Sequence, residues 1–584
     1  MQDPLELAIC RFSFDVRHAS TVDSTTPDPG AGFGFVLATG GELRTLCIIG
    51  PRLFKDGAST MATEGYWADP VMERDRPRTQ WPTLDSMIHP DDPVRLVDEV
   101  LENLDWSEWE AEYSRQRGQP PIHPRVLAGI VLYGMYRGIR STRRLEEACC
   151  YRLDFMWLAE GRRIDHTTLS KFRVRFKEPL KDLFRQIGRI AIGLGLITLG
   201  EVAFDGTRVK ANNSRYNTRT AKTLEAKLKI LDEIFERMVN EQDAAHAKGS
   251  GLGSATQLPD SLADIEKRRA SIAELLEKAR EADETRRQQG VNPEKNPAQI
   301  PTTDSDSKVM PNKEGGYAPN YTPVATTDGK DGFILDADVL PGVNESPAAA
   351  ASVDRIEENF GSKPEKFLTD GGNNAGQVMS QMEERGVEFY APVESNQPQP
   401  GDPAYREDPS QPVPESEWPK MKRNSQGQLD KSNFVYCPEE DQYYCPRGEA
   451  MPFDKTKPGK RNGETIQLRI YRATSCEGCP LAKACLSPSS KGARTITRDP
   501  YEQVRERTAA RMATPEGRAV YNRRPQIAET PFAFIKRVMG VRQFLLRGLE
   551  KVRTEWRWVA TAFNFMKLVR AMGKLRAHSS NLGI

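Results

Sequence analysis

Residues 201–207 read EVAFDGT, a short apolar run that ends in Asp205 and Gly206 before a threonine. The pattern predicts a buried β-strand that stops at a turn. A second run of the same kind, KFLTDGG at 366–372, presents Asp370 in the same way. Because active-site side chains of α/β proteins gather at the carboxyl ends of strands, both aspartates are candidate catalytic residues. For either one alone, an aspartate that starts a turn before glycine is the simpler interpretation.

Strand and helix signals alternate downstream of Asp205. Strands are predicted at NYTPVATTD (320–328), GFILDADVLP (332–341) and VEFYAPVES (387–395), and a helix is predicted at NAGQVMSQMEERG (374–386). Mixed elements in this order are typical of an α/β core, which is the fold class that the sequence predicts.

A third element lies near the C-terminus, where Tyr521, Arg524, Glu529 and Lys536 precede a long basic amphipathic segment. Glu529, Phe532 and Lys536 are spaced i, i+3 and i+7, so they share one face of a helix. Lys536 could simply pair with Glu529 across two turns. A glutamate beside tyrosine, arginine and lysine also suits a metal ion that bridges a scissile phosphate.

At these three elements the chain resembles the DDE transposases of bacterial insertion sequences. The similarity is greatest to the branch with a Tyr-Arg-Glu-Lys signature around the catalytic glutamate, and it covers about residues 85–575. It is carried by VAFDGTRVKANNS (202–214), FLTDGGNNAG (367–376) and YNRRPQIAETPFAFIKRVMG (521–540).

The chain departs from the family pattern at three points. Four residues separate Arg524 from Glu529, where the simplest signature has three, so Arg523 is an alternative for the arginine role. Pro531 falls two residues after Glu529 and not directly after it, and the second aspartate is followed by Gly-Gly and not by an aromatic turn.

The resemblance implies a ribonuclease-H-like mixed sheet flanked by helices. It implies that Asp205, Asp370 and Glu529 hold two Mg²⁺ or Mn²⁺ ions and that Tyr521, Arg524 and Lys536 position DNA phosphates. The implied reaction is cleavage at the ends of the element, followed by attack of the freed 3′-OH on target DNA. The implied partners are double-stranded DNA, at the element ends and at the target, and a second copy of the chain in a homodimeric synaptic complex.

Two other functions remain open on the sequence. One is a non-catalytic, transposase-derived DNA-binding protein, and the other is a ribonuclease-H-like nuclease that does not transfer strands. If one of the three proposed catalytic acids is assigned wrongly, the candidates to replace it are Glu516 and either Asp336 or Asp338.

Charge is distributed unevenly along the 584 residues. The chain has 83 Lys and Arg against 82 Asp and Glu, a net charge of +1. Residues 125–190 contain 15 basic against 7 acidic residues, and residues 501–584 contain 17 against 6. Two such blocks in a neutral chain indicate a polyanion-binding protein, although well-solvated helices also carry such charge.

The first basic block lies in a predicted all-α DNA-binding domain at 85–195. There DHTTLSKFRVRF (165–176) predicts a short helix capped by Asp165, with Lys171, Arg173 and Arg175 exposed to DNA. A small helical bundle with a basic face is the alternative interpretation.

Five of the nine cysteines lie between 437 and 485. The C-x2-C pair suits tetrahedral Zn²⁺, which favours a small structural zinc-ribbon-like site over a disulfide. Reduced thiols without a metal are the alternative. A tetrahedral zinc site needs four of the five cysteines. We expect Cys476, Cys479 and Cys485 to bind the ion, together with either Cys437 or Cys445.

The chain shows neither a membrane-spanning apolar run nor a secretory signal, so we expect a bacterial cytoplasmic protein that associates with the nucleoid and not with a membrane. Residues 1–60 are expected to be disordered or an upstream extension, with Met61 or Met72 as alternative starts. The remaining predicted boundaries are 200–215 and 300–395 for the first part of the core, 216–299 for a helical hairpin, 396–490 for a Pro- and Cys-rich insertion, and 500–575 for the glutamate helix and basic C-terminal helices.

Overall fold

The computed structural model describes residues 35–39, 42–46, 83–113, 121–247, 260–312, 315–461, 464–474, 476–487 and 492–581. The chain divides into two compact units, residues 1–81 and 82–584. In the first unit, strands β1 (Phe35–Thr39) and β2 (Glu42–Leu46) form an antiparallel hairpin. The expectation for residues 1–60 concerns residues that, apart from this hairpin, lie outside the described part of the chain.

The second unit is mixed α/β with a helical N-terminal region, as the sequence predicts. Its strands are β3 (Glu201–Gly206), β4 (Val209–Lys210), β5 (Thr218–Arg219), β6 (Ile300–Pro301), β7 (Lys308–Pro311), β8 (Tyr317–Asp328), β9 (Ile334–Leu340), β10 (Lys366–Leu368), β11 (Glu388–Tyr390), β12 (Val435–Cys437), β13 (Gln442–Tyr444), β14 (Ala450–Arg461), β15 (Glu464–Arg472) and β16 (Thr495–Arg498).

Helices surround these strands. They are α1 (Pro93–Glu102), α2 (Ser107–Ala111), α3 (Pro124–Tyr136), α4 (Thr142–Tyr151), α5 (Leu153–Leu158), α6 (His166–Arg175), α7 (Lys177–Gly193), α8 (Ala221–Ala247), α9 (Asp260–Gln288), α10 (Ser346–Phe360), α11 (Gly376–Glu384), α12 (Ala482–Cys485), α13 (Glu502–Ala513), α14 (Pro515–Asn522), α15 (Arg524–Arg537) and α16 (Leu549–Asn581).

The helical region is built around α3, whose side chains are apolar and buried at almost every position. The long C-terminal helix α16 joins this region to the sheet. Trp558 on α16 donates a hydrogen bond to the backbone of α6, and Trp556 donates one to Val324 of β8. Trp109, Phe172 and Trp558 meet at ring distances of 5.4 to 6.0 Å. The N-terminal helices and the sheet therefore share one hydrophobic core.

The central sheet has the strand order β9-β8-β3-β10-β11. β3, β10 and β11 run parallel, whereas β8 pairs antiparallel with both β3 and β9. β4 and β7 extend the pairing toward the start of β8.

The two faces of this sheet pack against different elements because side chains alternate along each strand. Phe204 and Phe367 stack on each other at 5.8 Å within the large core that includes α10 and α16. Ala203 and Leu368 point to the opposite face, where Ile527 of α15 covers them. Helix α15 therefore lies on the face to which every second residue of β3 and β10 points.

Two insertions interrupt this core. Helices α8 and α9 lie where the sequence predicts a helical hairpin, and Leu224, Leu276 and Ala279 pack between them. Strands β12 to β16 form a separate antiparallel sheet with its own core, which includes Tyr443 and Tyr471.

Candidate catalytic site and cysteine cavity

Asp205 and Asp370 are side by side in the sheet. Ala203 of β3 is in register with Leu368 of β10, and each aspartate lies two residues further along its strand direction. Both therefore point to the face covered by α15. The Asp370 carboxylate accepts hydrogen bonds from Gly372 N and Asn373 Nδ2, both at 3.0 Å, which fixes it at the turn after β10.

Arg524 and Tyr521 lie against these aspartates from the start of α15 and the end of α14. Arg524 Nη2 is 3.3 Å from Asp205 Oδ1, and the residue is 9% exposed. Burial raises the pKa of Tyr521; the positive charge of Arg524 opposes that rise, while the charges of Asp370 and Asp205 add to it. By contrast Arg523 pairs with Glu201 at 2.6 Å, away from the aspartates. Of the two arginines that the sequence offers, Arg524 is the one that reaches Asp205.

Lys536 and Glu529 lie on the same stripe of α15. Lys536 Nζ donates to Thr207 Oγ1 and, at 3.0 Å, to the carbonyl oxygen of Arg208, directly after the end of β3. Glu529 is exposed two turns earlier, and its carboxylate has no hydrogen-bond or ion-pair partner among the described residues. The structure thus brings Tyr521 and Arg524 to the two aspartates and places Lys536 next to the end of β3.

A further carboxylate, which the sequence interpretation missed, lies near the aspartates, next to Gly206. Glu345 immediately precedes α10, and its side chain is 15% exposed. Burial raises the pKa of Glu345 to about 7, with repulsion from Asp205 and Asp370 adding to the rise and Arg208, 4.0 Å away, opposing it. No local sequence pattern distinguishes Glu345 from other residues that precede a helix.

The substitute carboxylates on β9 have arginine partners. Asp336 is buried and accepts two hydrogen bonds from Arg355, at 2.7 and 2.6 Å. Asp338 pairs with Arg553 at 3.0 Å. Asp336 and Asp338 therefore each form an ion pair with an arginine of the fold.

The basic helix α6 differs from the sequence prediction at one residue. Lys171 and Arg175 are exposed, but Arg173 is 4% exposed and donates to the carbonyl oxygen of Arg140 at 2.9 Å. The reason is helical geometry: Arg173 is four residues after Leu169 and one after Phe172, so it lies on the buried stripe of the helix. The prediction that Arg173 faces DNA is therefore wrong for this conformation.

Four of the five clustered cysteines line one cavity of about 220 Å³ in the β12–β16 insertion. Cys437 is not among them, because it lies on β12 opposite Gln442. Burial raises the pKa of Cys485 to about 12, the Arg494 charge opposes that rise, and the neighbouring thiols add to it. The cysteines at the cavity are Cys445, Cys476, Cys479 and Cys485.

These sulfurs are less tightly grouped than another set of metal-ligand side chains. Within the described part of the chain, the group of three whose donor atoms all lie within 4.8 Å is Glu146, Asp165 and His166. That group has structural roles: Asp165 caps α6, and His166 Nδ1 is 2.7 Å from Glu146 Oε2.

In the described residues, no helix is long and apolar enough to cross a membrane.

Comparison with known families agrees with the motifs. Residues 444–569 match a family model described as "Transposase DDE domain", and residues 82–175 match one described as "Transposase domain (DUF772)". No match is found among curated proteins or among solved structures. The first match includes the cavity cysteines and the segment from Tyr521 to Lys536, and the second covers most of the N-terminal helices. The resemblance to the DDE transposases of the insertion-sequence type is thereby confirmed, with matches over residues 82–175 and 444–569.

Proposed function

We propose that this protein is a DNA transposase that cleaves DNA at the ends of its insertion sequence and joins the freed 3′-OH to target DNA. The observation that carries the proposal is the pair Asp205 and Asp370, adjacent at one sheet edge with Arg524 against them, in a chain that contains a transposase DDE domain.

The strand order supports a ribonuclease-H-like core. A parallel trio of strands, β3, β10 and β11, continues into the antiparallel strands β8 and β9. The first aspartate lies on β3, the central strand of this order, and the second follows the neighbouring strand β10.

The donor set at the sheet edge fits hard divalent cations, because carboxylate oxygens are their preferred protein ligands. Asp205, Asp370 and, by the family resemblance, Glu529 would hold Mg²⁺ or Mn²⁺. When bound, such a pair of cations supplies Lewis-acid stabilisation for phosphodiester displacement.

The remaining residues of the site have positioning roles. Arg524 and Lys536 offer cationic donors for phosphate oxygens, and the Tyr521 hydroxyl adds a neutral one. In the first step, water attacks the phosphorus atom, the bond to the element's 3′ oxygen breaks, and the flanking strand keeps the 5′ phosphate. In the second step, this 3′ oxygen attacks a target phosphorus, and a target 3′-OH leaves.

DNA contact is proposed for the exposed residues of α6, Lys171 and Arg175, and for the basic C-terminal segment. Two element ends must be held together for transposition, so we infer a homodimer in the synaptic complex.

We also propose that the cysteine cavity binds one structural Zn²⁺. Four thiols, from the turn before β14 and from the α12 region, line the cavity and suit tetrahedral zinc, which supports Cys445 as the fourth ligand in this proposal. In zinc analysis of the purified protein, we expect one Zn²⁺ per chain, lost in Cys445→Ser and retained in Cys437→Ser. Equal zinc content in the two variants would contradict this assignment.

The function is tested with full-length protein and DNA that carries the inverted repeats flanking its coding region. With Mg²⁺ or Mn²⁺ we expect cleavage and strand-transfer products, and Glu529→Gln should abolish both while end binding in a gel-shift assay remains. Binding without cleavage by the wild-type protein would favour the non-catalytic alternative. Hydrolysis without joined products would favour a nuclease.

A further inference from the structure

A cavity between α7, β9, α10 and α16 lies where the two basic blocks of the sequence meet. Its volume is about 270 Å³. Lys177 and Lys181 of α7 come from the first basic block. Arg553 and Arg557 of α16 come from the second. Since basic residues from two distant parts of the chain line one space, the cavity is a candidate site for an anion.

Almost every charged residue on the cavity wall is paired. Lys181 pairs with Glu178 at 2.7 Å. Arg553 pairs with Asp338 at 3.0 Å. The other ion pairs here are Lys177–Glu550, at 3.8 Å, and Arg355–Asp336, at 2.6 Å. The three carboxylates that line the cavity therefore already have basic partners.

Arg557 is the exception. Its side chain is half-buried, and its guanidinium group makes no hydrogen bond and no ion pair with the described residues. Burial lowers the pKa of this arginine, while the charges of Asp336, Asp338 and Glu178 oppose that change. Because those carboxylates are paired with other bases, Arg557 is the surplus positive charge at the cavity. A guanidinium group withdrawn from water is costly unless a partner completes its hydrogen bonding.

The ligand that suits this surplus charge is a phosphate group. A guanidinium group binds two phosphate oxygens at once, and a nearby ammonium group adds a mobile positive charge. Lys177 offers that second charge, because its contact with Glu550 is long and its side chain is 41% exposed. The cavity is also several times larger than the volume of about 30 Å³ that one water molecule occupies, so it has room for such a ligand.

The cavity is distinct from the catalytic site. Asp338 on its wall is in register with Val324 of β8 and, through that residue, with Gly206, which follows Asp205. Because neighbouring residues of a strand point to opposite faces of the sheet, Asp338 points away from the face that carries Asp205. A phosphate group in this cavity is therefore not the one at the cleaved bond.

We propose that Arg557 and Lys177 form a second phosphate-binding site in this cavity and that a phosphate of the DNA backbone occupies it. The phosphate site itself does not depend on the proposed function, whereas its occupation by DNA rests on that function. Free phosphate is the other source of the same chemical group.

The first measurement is the binding of inorganic phosphate to the full-length protein without DNA, followed by phosphorus NMR line broadening. We expect Arg557→Gln to weaken phosphate binding at least about 10-fold, because it removes the charged, two-pronged donor. Glu178→Gln should strengthen binding about three-fold, because it frees Lys181 to face the cavity. Lys295→Gln is the charge-matched control, since it removes one positive charge from an exposed position outside both basic blocks.

The second measurement identifies the source of the phosphate group. Fluorescence anisotropy of end-bearing duplex DNA across a salt series gives the slope of log affinity against log salt. If a DNA phosphate occupies the cavity, Arg557→Gln should lower this slope by about 0.9, and Lys295→Gln should not change it. An unchanged slope in Arg557→Gln, together with weakened binding of inorganic phosphate, would overturn the DNA assignment in favour of free phosphate.

Equal phosphate affinity in the wild type and in Arg557→Gln would overturn the inference, and so would a wild-type protein that binds no inorganic phosphate. If Arg557→Gln does not fold, Glu178→Gln at its exposed position carries the test, because a gain in affinity cannot arise from misfolding; no gain would contradict the site. None of these results involves cleavage. A protein that binds phosphate here but cleaves no DNA would refute the proposed function and leave the phosphate site intact.

Discussion

The two groups of carboxylates in the central sheet differ in how their charges are compensated. On β9, both oxygens of Asp336 are taken by one guanidinium group, at 2.7 and 2.6 Å, and Asp338 has its own arginine at 3.0 Å. At the other group, Arg524 touches Asp205 through a longer contact of 3.3 Å, and Arg208 is 4.0 Å from Glu345. Carboxylates of one sheet thus lie in different surroundings: one guanidinium group holds both oxygens of Asp336, whereas Glu345 lies close enough to Asp205 and Asp370 for their charges to repel one another.

The largest expected effect separates the two groups by activity. Asp205→Asn should lower the rate of metal-dependent DNA cleavage by at least about 1,000-fold, since a neutral amide is a poor ligand for a hard cation. Asp338→Asn should leave the rate within about three-fold of the wild type, because its charge serves an ion pair at the surface. Cleavage rates on labelled end-bearing DNA measure both, with gel-shift binding as a control. If the cleavage rate fell equally in Asp205→Asn and Asp338→Asn, the two groups of carboxylates would not differ in function.

A smaller effect is expected from the arginine that contacts the catalytic group. Arg524→Gln should slow cleavage about 100-fold, because it removes a charged donor aimed at the phosphate site. Arg523→Gln is the matched control one residue earlier; it pairs with Glu201 and should change the rate little. The rates are compared at saturating Mg²⁺. A larger loss in Arg523→Gln would identify Arg523 as the signature arginine.

The structural group should respond in stability and not in catalysis. Asp336→Asn leaves Arg355 without its bidentate partner, and we expect the free energy of unfolding to fall by about 2 kcal/mol. Urea denaturation measures this change, and the cleavage rate per folded molecule should stay unchanged. A wild-type denaturation midpoint together with impaired cleavage would place Asp336 in the catalytic group instead.

The smallest effect is expected on α6, where exposed basic residues are compared with a buried one. The double variant Lys171→Ala, Arg175→Ala should weaken DNA binding and lower the slope of log affinity against log salt by about 1.8, if each residue neutralises one phosphate. Arg173→Ala should instead destabilise the protein, because Arg173 is buried. Fluorescence anisotropy across a salt series measures the slope. An unchanged slope in the double variant would exclude this face of α6 from the DNA interface.

Parts of the site follow from local sequence. VAFDGT and KFLTDGG each contain an apolar strand and an Asp-Gly end, and these signals depend only on neighbouring residues. The structure forms β3 and β10 there, and their parallel register makes Asp205 and Asp370 adjacent. The mixed α/β class was predictable for the same reason.

Other parts could not be read from local patterns. Arg173 appeared exposed from its charge, but the stripe of Leu169 and Phe172 that packs inward carries it into the core. Glu345 lies 140 residues after Asp205 in the sequence and reaches it only through the β8–β9 hairpin and the start of α10. That Cys445 lines the cavity depends on the path of the chain between β13 and β14.

The sequence by itself predicted many of the elements, the resemblance to DDE transposases and the two candidate aspartates, because strand periodicity, turn residues and ordered motifs are short-range properties. Only the tertiary structure decided which charges are paired by arginine, which cysteines share a cavity and that Glu345 lies near the two aspartates. Those outcomes depend on contacts between residues far apart in the chain, and the energy of a charge depends on the partners that such contacts supply.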